Sequence, residues 1–210
     1  MSSSNSKPLA NLVVVIRSPR SQGDRRQAIR ETWGKELETL GAEYVFSIAH
    51  PAEDWPVLLG DTLRVPCRDS HADLTNRMIW TFRWLLKERP GTALFSVDDD
   101  CYVCAKRLAG LRLDADVLGH PNEPWYMSGG PGLLLSHRCV KHLDWYMGRD
   151  DCVIGALLHA TRPADYTEVS AKGVFNPWRE QPWPAYNNAV AVQHYVREPH
   201  EMRSLHGTVG

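Results

Sequence analysis

Leu12–Ile16 reads LVVVI, an unbroken β-branched apolar run of the kind that is buried on both faces of a parallel sheet. The polar stretch Ser18–Gly23 (SPRSQG) is the loop behind it. From Asp24 the spacing lengthens to a helical period. Ala28, Ile29, Thr32 and Trp33 share one side, Asp24 is placed to cap the start, and Gly34 weakens the end. Tyr44–Ile48 predicts a second strand and Leu63–Val65 a short third, stopped by Pro66. Leu74, Met78, Phe82, Leu85 and Leu86 form a helical stripe between an Asp73 cap and a Pro90-Gly91 stop. Ala93–Val97 is the next buried strand, and it runs directly into Asp98-Asp99-Asp100.

Beyond the triplet, the pattern predicts a short strand at Val117–Gly119, a glycine turn at Ser128–Gly132, and a helix near Arg138–Tyr146. A further helix opens at Asp150-Asp151. Val190, Val192, His194 and Val196 alternate as a late strand. Strands alternating with helices predict an α/β fold. The chain has 210 residues, 43% of them hydrophobic, and no shift in composition divides it. A Ser-rich polar start predicts a flexible leader over residues 1–10, followed by one domain over residues 11–210.

A formal charge of -1 and a pI near 6.7 give no global attraction to nucleic acid or to an anionic membrane surface. Five cysteines, with Cys101-x-x-Cys104 alone at a metal-like spacing, predict mostly reduced thiols. No apolar run approaches the ~18 to 20 residues that span a bilayer, and no apolar segment follows Met1. The expected location is therefore the cytoplasm. Basic residues gather early, at Arg17, Arg20, Arg25, Arg26 and Arg30, and their forks suit phosphate as well as a solvated face.

The aspartate triplet has two readings. It is a solvated acidic turn, or it is a site where a divalent cation offsets the repulsion among adjacent carboxylates. Its position at a strand's carboxyl end, where open α/β sheets bind ligands, raises the second. Asp150-Asp151 likewise either caps a helix or supplies a general base. Ser128–Gly132 is a tight turn or a place where backbone approaches a sugar. His194 is a core histidine or a ligand. Trp80, Trp84 and Trp125 are core or stacking platforms, with the first two placed in the core by their helix.

Taken in order, these segments resemble glycosyltransferase family 31, the β-1,3-galactosyltransferase and fringe-like enzymes. Arg26–Trp33 (RQAIRETW) is similar to the family's RxxIRxTW block, Asp69–Thr75 (DSHADLT) to DSYxNLT, and Val97–Val103 (VDDDCYV) to VDDDxYV. Asp116–Gly119 (DVLG) is similar to the short strand before the family's acceptor loop. Ser128–Gly132 (SGGPG) resembles the fringe GGAG turn, Asp150–Gly155 (DDCVIG) resembles DDCTIG, and Val192–Val196 with Met202 resembles the closing HxxxPxxM strand.

The resemblance implies a doubly wound α/β fold of the GT-A type, with a mixed central sheet flanked by helices. It implies an inverting transfer of a hexose or N-acetylhexosamine from a UDP-sugar to an acceptor hydroxyl, with Mn²⁺ or Mg²⁺. By the same resemblance Asp100 and His194 hold the metal, Asp99 contacts the donor, Asp98 lies beside the ribose, and Asp151 is the catalytic base. Arg17 or Arg20, Arg77, and Gly129 and Gly130 belong to donor binding. The partners implied are the UDP-sugar and a glycan, glycoprotein or other hydroxyl acceptor; a modified nucleic-acid base stays open as an acceptor, but the near-neutral charge does not favour it.

Three departures mark this chain. Only His120–Met127 separates the DVLG strand from the glycine segment, Asp73 stands where the family has Asn, and Arg77 where it has Lys. The alternatives kept open are a metal-dependent nucleotidyltransferase or phosphodiesterase, and a silent sugar- or nucleotide-binding module. For location the alternative is a Golgi-type catalytic domain with its anchor removed.

Overall fold

The computed structural model describes residues 7–111, 113–122, 126–144, 165–170, 174–176 and 191–209. In chain order these give strand β1 (Leu12–Arg17), helices α1 (Gly23–Glu31) and α2 (Trp33–Leu40), and strands β2 (Glu43–Ala49), β3 (Val57–Leu59) and β4 (Thr62–Val65). Helix α3 (Leu74–Glu88) and strands β5 (Ala93–Asp98) and β6 (Tyr102–Val103) follow. Then come α4 (Ala105–Ala109), β7 (Val117–Asn122), β8 (Tyr126–Leu135), α5 (His137–Asp144), β9 (Glu168–Ser170), β10 (Phe175–Asn176), β11 (Val192–Gln193) and α6 (Pro199–Val209).

The eight-stranded sheet has the order β3-β4-β2-β1-β5-β8-β7-β9. Its centre is parallel, with β1 between β2 and β5, while β8 runs antiparallel to both β5 and β7. The mixed sheet expected from sequence is thus present. Strand alternation divides the core in two. Val14 and Ile16 of β1, with Phe95 and Val97 of β5, face a cluster completed by Ile29, Trp33, Leu37 and Met202. Val13, Val15 and Leu94 face the opposite cluster, with Met78, Phe82 and Leu85 of α3 and Cys139, Val140 and Leu143 of α5. The LVVVI run has no polar position because both of its faces are covered.

Several local expectations are corrected. Asp24 lies inside the first turn of α1, and Gln22 occupies the cap position without a side-chain hydrogen bond. Gly34 does not end a helix. The break falls at Thr32, whose hydroxyl donates to the Ala28 carbonyl at 2.6 Å, and Gly34 sits in α2 with the Tyr44 ring packed where a side chain would be. Ser128–Gly132 is not a turn between elements but part of β8. The β7–β8 register jumps there, from Gly119 opposite Leu133 to His120 opposite Ser128, so residues 129–132 bulge out of the pairing. Val190 lies outside the described residues, and among them the late strand is Val192–Gln193. It joins β6 and β10 in a separate three-stranded sheet and then leaves it, and Met202 belongs to helix α6.

Leu9 is fully buried and its backbone N–H donates to the Leu40 carbonyl, so residues 7–10 lie against α2. Trp84 is in the core, while Trp80 is half-buried and meets Trp55 edge to face. Trp125 and the Asp150–Gly155 segment lie outside the described residues. Among the described residues no helix is long and apolar enough to cross a membrane.

One buried carboxylate ties the far side of the sheet together. Asp116, just before β7, accepts from both ends of the Arg138 guanidinium, from the Ser136 hydroxyl at 2.7 Å, and from the Thr167 N–H at 2.9 Å. It thereby joins β7, α5 and the chain entering β9. The Arg138 hydrogen bonds, helped by those from Thr167 and Ser136 and opposed by burial, hold its carboxyl well below the usual range. A depressed folded-state pKa contributes stability above the unfolded value near 4, and that stability is lost as pH falls toward the folded one. Arg138→Ala is therefore expected to lower Tm at neutral pH, and the gap from wild type should narrow as pH falls below about 4. Equal gaps across a thermal-denaturation pH series would contradict this.

Candidate active site

The carboxyl ends of β1 and β5 lie side by side, with Arg17 in register with Asp98. That register places a buried guanidinium beside the first carboxylate of the triplet, Arg17 Nη2 lying 2.9 Å from Asp98 Oδ1. The next residue on each chain repeats the pairing. Ser18 donates its hydroxyl to Asp99 Oδ2 at 2.6 Å, and the Asp99 N–H donates to the Arg17 carbonyl. Arg25, from the first turn of α1, donates to Asp99 Oδ1 at 3.2 Å and to the Arg197 carbonyl at 2.8 Å. Asp99 is only 3% exposed. Burial pushes its carboxyl up, partly offset by Ser18 and Arg25.

Asp100 turns the other way, toward the chain that follows β11. Its carbonyl accepts the Val196 N–H at 2.7 Å, and its Oδ1 lies 3.2 Å from His194 Nε2. Asp98 Oδ2 is 3.8 Å from the same nitrogen. Burial is the largest influence on Asp100 and pushes its carboxyl up. The His194 contact outweighs it together with the charges of His194, Arg25 and Arg197, and the net direction is down. The bulge in β8 brings Gly130 against this group: a Cβ there would stand 2.6 Å from His194 Cε1 and 3.3 Å from Asp98 Oδ2. Glycine is required by that approach, not by a turn. Gly129, beside it, is buried in the same bulge.

A cleft of about 390 Å³ opens over the triplet, lined in part by Arg17, Arg25, Asp69, His71, Arg77 and Asp98–Asp100. Arg77 reaches it from α3. Its guanidinium donates to Asp69 Oδ1 at 2.7 Å and to the Ser18 carbonyl at 3.3 Å, which clamps the loop after β1 to the loop before α3. Arg20 is exposed and takes part through its backbone. Its N–H donates to Asp69 Oδ2 and its carbonyl accepts from Arg26. Of the two arginines expected after β1, Arg17 is the one that lines the cleft.

The donor set suits a hard or borderline divalent cation. Asp100 offers a carboxylate and His194 an imidazole within one small group, and Asp100 Oδ1 is buried with the His194 ring as its neighbour and no well-formed hydrogen bond among the described residues. Cys101 lies in the same group, but burial and the Asp100 and Asp98 charges push its thiol far up. The thiol donates instead to the Gly130 carbonyl at 3.2 Å. Arg25 is the residue that sequence reasoning left unassigned. It was visible only as one of several early arginines, and its partners lie on the loop after β5 and before α6, far along the chain.

The curated relatives match this chain over a limited stretch. UDP-GalNAc:beta-1,3-N-acetylgalactosaminyltransferase 1 of Mus musculus is 30% identical over 106 residues, 44% of this chain and 32% of its own length. UDP-GlcNAc:betaGal beta-1,3-N-acetylglucosaminyltransferase 7 of Rattus norvegicus is 33% identical over 110 residues, 44% of this chain and 28% of its own length. The matched stretch therefore spans about a third of these relatives or less. Among solved structures, a glycosyltransferase involved in glycosylation of the major capsid of PBCV-1 superposes with a TM-score of 0.59 at 12% identity, covering 94% of this chain and 99% of that one. The galactosyltransferase LgtC, in complex with donor and acceptor sugar analogs, gives 0.50 at 14% identity over 94% and 96%. These likenesses show the GT-A fold. The galactosyltransferase family pattern matches residues 24–147, from α1 through the aspartate triplet and the β8 bulge to just past α5, and the chain belongs to that galactosyltransferase family.

Proposed function

We propose that this protein is an inverting glycosyltransferase that moves a hexose or N-acetylhexosamine from a UDP-sugar to an acceptor hydroxyl in β-1,3 linkage, with Mn²⁺ as its metal. The observation that carries this reading is the meeting of His194 with Asp100, remote in sequence, at 3.2 Å, where Asp100 lines a cleft at the carboxyl edge of the sheet. Family membership and the UDP-sugar transferases among the relatives support the same chemistry.

Asp100 and His194 would hold the metal, with Asp98 close by. When bound, a divalent cation supplies Lewis-acid charge to a diphosphate leaving group. Arg17 keeps the Asp98 carboxylate oriented at the cleft, where it is open enough, at 33% side-chain exposure, to meet a donor ribose. Asp99 is committed to Ser18 and Arg25, which supports a role in fixing the loop more than in touching the donor. Arg77 holds Asp69 and the Ser18 carbonyl together at the cleft. Asp151, outside the described residues, is assigned the base on its motif: it takes the proton from the acceptor hydroxyl as that oxygen attacks the anomeric carbon. One in-line displacement inverts the configuration.

The charges of the cleft predict that nucleotide binding depends on the metal. Asp69, Asp98, Asp99 and Asp100 outnumber Arg17, Arg25 and Arg77, and each of these arginines already faces a carboxylate. A diphosphate entering without a cation would meet excess negative charge. UDP binding measured by calorimetry is expected to weaken about 100-fold or more when Mn²⁺ is replaced by EDTA, and His194→Ala should remove most of the metal's benefit. Metal-independent UDP affinity would contradict the reading.

Asp151→Asn tests the base separately. With donor and acceptor saturating, turnover should fall about 1,000-fold while UDP affinity is unchanged. Retained turnover would remove Asp151 from that role.

A further inference from the structure

The metal ligand His194 is held in an unusual way. A metal-ligating histidine ordinarily donates its second ring N–H to a carboxylate or carbonyl, which fixes the plane of the ring. Here Nδ1 of His194 is buried and has no hydrogen-bond partner among the described residues. The neighbouring residue offers a different restraint. The Tyr195 ring stacks on the imidazole, with centroids 3.9 Å apart and planes 23° from parallel.

Consecutive residues of an extended chain point to opposite faces, so two adjacent side chains cannot stack without a reversal of the backbone. Tyr195 supplies it. Its φ is 63°, making it the one non-glycine residue with positive φ among those described. An aromatic residue is disfavoured there. Core packing does not account for the conformation, since Tyr195 is half-buried and belongs to neither hydrophobic cluster. The surroundings hold it from the residues that follow: the Val196 N–H is tied to the Asp100 carbonyl, and the Arg197 carbonyl to Arg25. The Arg197 guanidinium lies 4.9 Å from the Tyr195 ring centre. Strain retained at a binding site by surrounding contacts is a mark of function.

We propose that Tyr195 is the positioning residue for His194: its ring, folded back by the left-handed turn, takes the place of the hydrogen-bond acceptor that the described residues do not supply and keeps Nε2 aimed at Asp100. Gly130 lies along the Cε1–Nε2 edge of the same ring, where any added Cβ would come within 2.6 Å of Cε1. The inference rests on the metal site proposed above.

The test uses the whole protein without nucleotide or acceptor. Mn²⁺ affinity is measured by electron paramagnetic resonance of the free ion, and Tm is measured in EDTA. Tyr195→Phe keeps the stacking ring and should bind Mn²⁺ like wild type. Tyr195→Gly removes the ring and relieves the backbone, so affinity should fall about 10-fold or more while Tm stays level or rises. That opposition of signs is not expected of a residue that merely supports the fold. Unchanged affinity in Tyr195→Gly, or a loss that comes only with a lowered Tm, would overturn the inference. His194→Ala separates the two readings. If it also leaves Mn²⁺ affinity unchanged, the metal site falls and this inference with it; if it abolishes binding while Tyr195→Gly does not, only the role of Tyr195 is overturned.

Discussion

Three consecutive carboxylates at the end of a buried strand repel one another, and much of the surrounding architecture offsets that repulsion. Each carboxylate is answered from a different part of the chain. Asp98 faces Arg17 across the β1–β5 register, Asp99 faces Ser18 and Arg25, and Asp100 faces His194. These partners come from β1 and the residue after it, from α1 and from the segment after β11, so the triplet draws together elements that the sheet alone leaves apart. The parallel centre of the sheet is what makes this feasible, because it brings the carboxyl ends of β1 and β5 to one edge.

The same balance shapes the cleft. Its arginines are already paired, so they steady the walls, and on the proposed function the added positive charge that a diphosphate needs would come from a cation at the Asp100–His194 pair. Gly130 matters for the same reason. A strand bulge with no Cβ lets backbone come close enough to confine His194 and Asp98. Tyr195, stacked on the His194 ring, keeps a left-handed backbone that core packing does not explain.

Much of this was legible in the sequence where the signal is local. The LVVVI run, the α3 stripe and the strand leading into Asp98 each follow from periodicity, and Asp100 and His194 were singled out by their place in ordered motifs. What escaped was set by distant contacts. The glycines within Ser128–Gly132 read as a turn because local chemistry does not distinguish a turn from a bulge; only the register with β7 does. The alternation around His194 read as a strand because its valines are spaced for one, yet the Val196 N–H is taken by the Asp100 carbonyl and the chain turns away. Arg25 was hidden among neighbouring arginines for the same reason, since only the folded chain shows which of them meets Asp99.

On the proposed function, this edge of the sheet transfers a sugar from a nucleotide diphosphate donor. The most direct measurement incubates the protein with Mn²⁺, a panel of UDP-sugars and a panel of glycan acceptors, and identifies both products by mass spectrometry, with the new linkage assigned by nuclear magnetic resonance. The expected result is UDP released in equal amount with a glycosylated acceptor whose new bond has inverted anomeric configuration. Release of UMP with a sugar phosphate, or a product of retained configuration, would contradict it.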